Sequence, residues 1–143
     1  MKKGFTLVEL ILVIAIIALV SAFTLPLFTS IQEKSSTIVA RQHVVSTLRL
    51  AKVYAHTMKY DTDWGVHMAD TNMTLFRGND YALRDASYDE IIILDEQLII
   101  TGESDVIFSK STGASSVSGT IRITKAGHDP QTVLISSSTI SYQ

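Results

Sequence analysis

An α+β fold, one long amino-terminal helix laid on an antiparallel β-sheet, is predicted by three features of this 143-residue chain. No charge falls between Glu9 and Glu33, the following stretch carries a helical apolar stripe, and from Trp64 onward the apolar period shortens to two. The first helix begins behind a basic stub, Met1-Lys2-Lys3-Gly4, and holds eleven consecutive apolar residues from Leu10 to Val20. Counted from Phe5 to Phe28 it is roughly 36 Å long at ~1.5 Å per residue, enough to cross a bilayer with some tilt. A secretory signal would place its cleavage site after the apolar stretch. Here the only plausible processing site, Gly4-Phe5, lies before it, so the segment stays in the mature protein. Glu9 sits inside this segment with no basic side chain in the helix to meet it. A carboxylate near the membrane boundary costs roughly 2 to 3 kcal/mol without a partner, which marks it as functional; the bland alternative is an acid that snorkels to the headgroups. Pro26 lacks an N–H and should weaken or kink the helix over the preceding turn.

Beyond Pro26 the pattern turns amphipathic. Val44, Leu48, Ala51, Ala55 and Met58 share one face, Arg41, Gln42, Arg49, Lys52 and Lys59 surround it, and Ile31, Ile38 and Val45 extend an apolar row toward the amino terminus. One helix from about Thr6 to Tyr60 accounts for all of this, with Asp61-Thr62-Asp63 ending it. Strands follow around Trp64–Met68, Val106–Ser109, Thr120–Thr124 and Thr132–Ser136, with β-branched runs at Glu90–Leu94 and Leu98–Thr101 separated by Asp95-Glu96-Gln97. Lys125 to Pro130 reads as the loop between two of them. Residues 109–120, small and polar, read as a flexible surface loop, since almost nothing there offsets the entropy of ordering.

Residues 29–143 then form one small domain. The absence of cysteine excludes disulfides, thiolate nucleophiles and Cys-based metal sites. Charge is uneven: residues 33–60 hold Lys34, Arg41, Arg49, Lys52 and Lys59 against Glu33, whereas residues 61–105 hold eleven acids against Arg77 and Arg84. That contrast is read either as complementarity, within a subunit or between neighbours, or as two solvated faces. His43, His56, His67 and His128 show no metal-ligand spacing and read as surface histidines. Asp61-Thr62-Asp63-Trp64-Gly65 opens like a calcium loop, but Gly65 and Asn72 stand where ligands are required. Asp85, Asp89, Glu90, Asp95 and Glu96 are lesser candidates for that ion. No catalytic constellation emerges, so neither an enzyme nor a cofactor is expected.

Gly4-Phe5-Thr6-Leu7-Val8-Glu9 followed by an apolar helix resembles the prepilin signature of type IV pilins and type II secretion pseudopilins. The resemblance implies a pilin-like fold: a leader of residues 1–4, a transmembrane and assembly helix of residues 5–28, and a globular domain of residues 29–143 that includes the amphipathic half of the helix. It implies cleavage between Gly4 and Phe5 by a prepilin peptidase, with N-methylation of Phe5. Glu9 would pair with the free amino terminus of a neighbouring Phe5 and set axial register, and Ala18 to Pro26 would be the stretch that melts on assembly. The precursor would be a single-pass inner-membrane protein with its domain outside the cytoplasm, working with other pilin subunits, membrane lipid and an inner-membrane assembly platform before entering a filament. Loss of Lys2 and Lys3 with the leader would leave ten basic against fourteen acidic residues.

The order of helix, Trp-Gly-Val strand and C-terminal hairpins loosely resembles the H-type minor pseudopilins and their pilus counterparts, although Ser136-Ser137-Ser138 stands where those relatives usually bear a glycine. A minor structural subunit is the expected role. Many pilins close the C-terminal region with a disulfide that this chain lacks, and some relatives bind calcium or are O-glycosylated, which the tract 109–120 would suit. Two alternatives remain. One is a DNA-binding minor pilin of an uptake pilus, for which Lys110, Arg122 and Lys125 are the only C-terminal cations and the acidic balance is adverse. The other is a membrane-anchored binding domain that never polymerises.

Overall fold

The computed structural model describes Gly4 and residues 6–143, apart from the side chains of residues 22–35. It comprises two compact units, Met1–Ser35 and Ser36–Gln143. Helix α1 runs from Leu7 to His56 and so contributes to both. The side chains of Pro26 and Ile31 lie outside the described residues, as does Phe5.

In the second unit α1 buries the face that its periodicity predicts. Val44, Leu48, Ala51 and Ala55 are wholly buried, and Ala40 and Val45 nearly so. Met58 is not part of that face. The helix ends at His56, short of Tyr60, and Met58, Tyr60 and Asp61 all take left-handed backbone angles (φ 51°, 61° and 53°) through the turn Lys59–Asp61. Each such residue costs on the order of 1 kcal/mol, so its neighbours must hold it. They do so through carbonyls of the last helical turn and of the Lys59–Asp61 turn itself. Thr57 Oγ1 donates to Val53 O at 2.8 Å, the Ser111 N–H to Ala55 O at 3.0 Å, and Trp64 Nε1 to Lys59 O at 3.0 Å. The loop N–H and the indole thus take bonds that a longer helix would have made, while Thr57 Oγ1 adds to a bond that the Thr57 N–H already makes.

Eight strands follow, all antiparallel to their neighbours: β1 Trp64–Met68, β2 Asn72–Arg77, β3 Glu90–Ile93, β4 Leu98–Gly102, β5 Asp105–Phe108, β6 Gly119–Lys125, β7 Gln131–Ile135 and β8 Ile140–Tyr142. They make two sheets where one was expected, in the orders β3-β2-β1-β5 and β4-β6-β7-β8. Strands β3 and β4 belong to different sheets because Leu94 and Leu98, on either side of their connection, both enter the core (6% and 3% exposed). The chain is held in that passage by Asp95, which accepts from the Gln97 N–H at 3.0 Å and pairs with Lys125 Nζ at 3.2 Å. The helical face, Trp64, Val66, Met73, Leu75, Val106, Phe108, Ile121, Ile123, Val133 and Ile135 form a single apolar cluster.

The outer face of the first sheet carries its own packing. Phe76 is fully buried there, lying where any side chain on Gly65 would stand, with Tyr81 edge-on at 5.3 Å between centroids. Tyr81 stacks on His67 at 3.7 Å, and the Arg84 guanidinium lies 3.6 Å from the Tyr81 ring centre. His67 is therefore no plain surface histidine: it is half-buried and its Nδ1 lies 2.8 Å from Asp105 Oδ1. Phe76→Ala should cost about 3 to 5 kcal/mol of unfolding free energy, measurable by urea denaturation, because the cavity would open between Gly65 and Tyr81 with nothing to fill it.

The tract 109–120 is tied down rather than flexible. Besides the Ser111 bond to the helix end, Ser109 N–H donates to Ala114 O at 2.9 Å, Ser115 N–H to Ser137 O at 3.0 Å and Ser116 N–H to Ile107 O at 2.7 Å. Gly113 (φ 62°) is buried against Lys52 and His56, and Gly119 and Thr120 already belong to β6. Backbone hydrogen bonding supplies the order that its side chains cannot.

Two exposed carboxylates are held below the usual carboxylate range. Asp85 owes this mainly to the hydroxyl and N–H of Ser87, with Arg77 adding to it, and Asp95 to the Gln97 N–H and then Lys125. A depressed folded-state value contributes stability above the unfolded-state value, and that contribution is lost as pH falls through the folded one. The domain should therefore lose some stability on acidification below about pH 4. In Asp85→Asn combined with Asp95→Asn, thermal unfolding should depend less steeply on pH in that range.

Candidate assembly site at the amino terminus

Thr6 starts the helix. Its carbonyl accepts the Leu10 N–H at 3.2 Å and its Oγ1 accepts the Glu9 N–H at 3.3 Å, so it serves as N-cap with Glu9 three residues on. Thr6-Leu7-Val8-Glu9 is the spacing of a capping box, a signal legible in the sequence but not used in reading it. Glu9 also lies in the first turn, where a carboxylate favours the positive end of the helix. Its side chain is exposed, and among the described residues nothing forms an ion pair with it.

Apart from Glu9, the helix from Leu7 to Val20 is apolar on every side and covered on none. Leu7 and Val8 are each 74% exposed, Leu19 65% and Ile14 58%. The single hydroxyl at its far end, Ser21 Oγ, donates to Ile17 O at 2.8 Å and so presents no unmet donor. A helix hydrophobic all round is stable in lipid or among other helices, not in water. Among the described residues no helix is long and apolar enough to cross a membrane. The stretch 5–28 predicted to do so extends past the side chains described. Gly4 is exposed, and a Cβ added there would meet nothing within 4 Å.

Residues 1–25 match the Prokaryotic N-terminal methylation motif. No curated protein matches the sequence. Among solved structures, two of the minor pseudopilin EpsH from the type 2 secretion system of Vibrio cholerae align with it, each with a TM-score of 0.55 and 16% identity. Each alignment covers 76% of this chain, with 96% of the EpsH chain in one and 94% in the other. The chain carries a prepilin-type amino-terminal motif and has a fold similar to that of a pseudopilin. The motif spans Gly4, Phe5 and Glu9.

The other candidates are distributed differently. Asp61 Oδ1 lies 3.2 Å from Lys110 Nζ and Asp63 Oδ1 accepts the Lys110 N–H at 2.6 Å, so both acids of the calcium-like loop are engaged by one lysine. Among the described residues no three His, Asp or Glu side chains are placed to hold a metal. Of the C-terminal cations weighed for DNA, Lys110 faces Asp61 and Lys125 faces Asp95, and a neutralised lysine offers little to phosphate.

Proposed function

We propose that the chain is a structural subunit, of the minor kind, in a type IV pilus or type II secretion pseudopilus. A prepilin peptidase cuts between Gly4 and Phe5, Phe5 is N-methylated, and the helix behind it joins other subunits in the filament core. The observation that carries this reading is the stretch Leu10–Val20, apolar all round and uncovered, with the Glu9 carboxylate at its head. Exposing it to water would cost on the order of 0.8 kcal/mol per CH₂ group, so a subunit can leave the membrane only as neighbouring helices take over that surface. Glu9 pairs with the new amino terminus of a neighbouring Phe5, which fixes the step between subunits. Before assembly the precursor spans the inner membrane once, with its domain outside the cytoplasm, and is drawn into the filament by an assembly platform. The role is structural, with no catalysis.

Flotation of a cell extract through a density gradient tests this. A fraction of the mature chain should sediment apart from lipid as polymer. Recovery only in the floating lipid fraction would favour an anchored domain that never polymerises.

A further inference from the structure

The cations of α1 are not neutralised within the subunit. Arg41, Arg49, Lys52 and Lys59 make no ion pair among the described residues, and the acids of the strand region that do pair take Lys110, Arg77, Arg84, Lys125 or His67. Complementarity within one subunit, one of the sequence readings, is thus not made by the described side chains. Three of these cations follow one flank of the helix, beside β8. Arg41 lies over the Tyr142 ring at 4.3 Å and donates to Gln131 Oε1 at 3.0 Å, and Lys52 donates to Ser138 O. Helix and strand therefore run in opposite directions along this flank, with the exposed Arg49 between those two contacts in sequence. An open groove of about 420 Å³ lies here, lined by Arg41, Gln42, Val45, Ser46, Arg49 and Tyr142 and by no acid.

The wall opposite the helix belongs to an open strand edge, since β8 is the last strand of its sheet. Gln143 N–H donates to Thr132 O at 3.0 Å, Thr132 N–H to Gln143 O at 3.3 Å and Ser136 N–H to Thr139 O at 2.9 Å. Antiparallel ladders alternate, so Thr139, Ser141 and Gln143 turn their backbone groups to β7, and Ile140 and Tyr142 turn theirs away. The N–H and C=O groups of those two residues meet no partner among the described residues. Short as it is, β8 carries neither the lysine nor the proline that commonly guards a free edge against a further strand.

We propose that this groove receives an extended acidic segment of a different protein chain, added to β8 as a further strand with its carboxylates toward Arg41 and Arg49. The open edge presents N–H and C=O groups in alternation, and another backbone supplies acceptors and donors in that same order. A phosphate group would satisfy the guanidinium groups but leave the carbonyls of Ile140 and Tyr142 facing an anion. Along α1 the two arginines are about 12 Å apart at ~1.5 Å per residue. At about 3.3 Å per residue an extended segment reaches both with carboxylates four positions apart, which alternation places on one face. Such pairs give charge-assisted, directional bonds. The inference goes beyond the filament reading and does not depend on it. A foreign strand fills the edge once and does not propagate, in keeping with a minor subunit.

Calorimetric titration of the full-length chain in neutral-detergent micelles tests this without any filament. The probe is a short acetylated and amidated peptide of threonine and valine with two glutamates four positions apart. It should bind saturably, and Arg49→Glu should weaken binding by at least about tenfold. Arg49 is exposed and makes no ion pair among the described residues, so its replacement leaves the fold in place. The same peptide with lysines for glutamates should not bind. Methylation of the peptide's backbone nitrogens at alternate positions reads the ladder: the set facing β8 should abolish binding and the intervening set should not. Equal effects of the two sets, binding unchanged by Arg49→Glu, or no binding at millimolar peptide would each contradict the proposal. So would Arg49-dependent binding of a duplex oligonucleotide or of anionic-lipid vesicles in place of the peptide, since that would assign the groove to phosphate.

Discussion

Glu9→Ala should leave cleavage between Gly4 and Phe5 intact and remove nearly all of the chain from filaments. The helix start depends only weakly on the Glu9 carboxylate, because Thr6 Oγ1 takes the Glu9 backbone N–H and alanine is the best helix former. The substitution therefore isolates the charge. In a filament the amino group of a neighbouring Phe5 would be left among apolar helices without a counter-ion, and stranding one member of a buried pair costs about 3 to 5 kcal/mol. That is a loss on the order of a hundredfold or more in incorporation. Glu9→Gln keeps the shape and a hydrogen bond but not the charge, and should recover only a small part. The check is an immunoblot of the polymer fraction beside one of the membrane fraction, with the same leader-cleaved size in both. Normal incorporation of Glu9→Ala would remove the proposed link to Phe5.

Gly4→Ala should show the opposite division, with maturation blocked and folding untouched. Gly4 is exposed and a methyl group there has open space around it, so the chain itself tolerates the change. Any defect then belongs to the peptidase that must accommodate residue 4 beside the scissile bond. Precursor should accumulate with at least about tenfold less mature product, a size of effect reached when one carbon atom is forced into a filled site at ~1.4 kcal/mol or more. Thermal unfolding of the globular domain should be unchanged. Processing at the normal rate would place the cut elsewhere.

What could be read from the sequence was local. The face Val44, Leu48, Ala51 and Ala55 is set by spacing along one helix, and the helix buries it as expected. Strand β2 was missed for a physical reason. Met73, Thr74, Leu75 and Phe76 are all buried, two toward the helix side and two under the outer layer with Tyr81, so the strand shows no alternation. The division into two sheets was not legible either, because it depends on pairings such as β1 with β5, which join residues far apart in the chain. Nor could the polar tract 109–120 reveal its order, which comes from the carbonyls of Ala55, Ile107 and Ser137. The charge contrast was visible, but only the fold tells which cations are already engaged. Lys110 and Lys125 are spent on Asp61 and Asp95, whereas Arg49 is not.

Maturation of the chain as a prepilin is read out by mass spectrometry of the amino-terminal peptide from the native host. The expected peptide begins at N-methyl-Phe5. An intact Met1-Lys2-Lys3 start would contradict the account and leave a plain membrane anchor in its place.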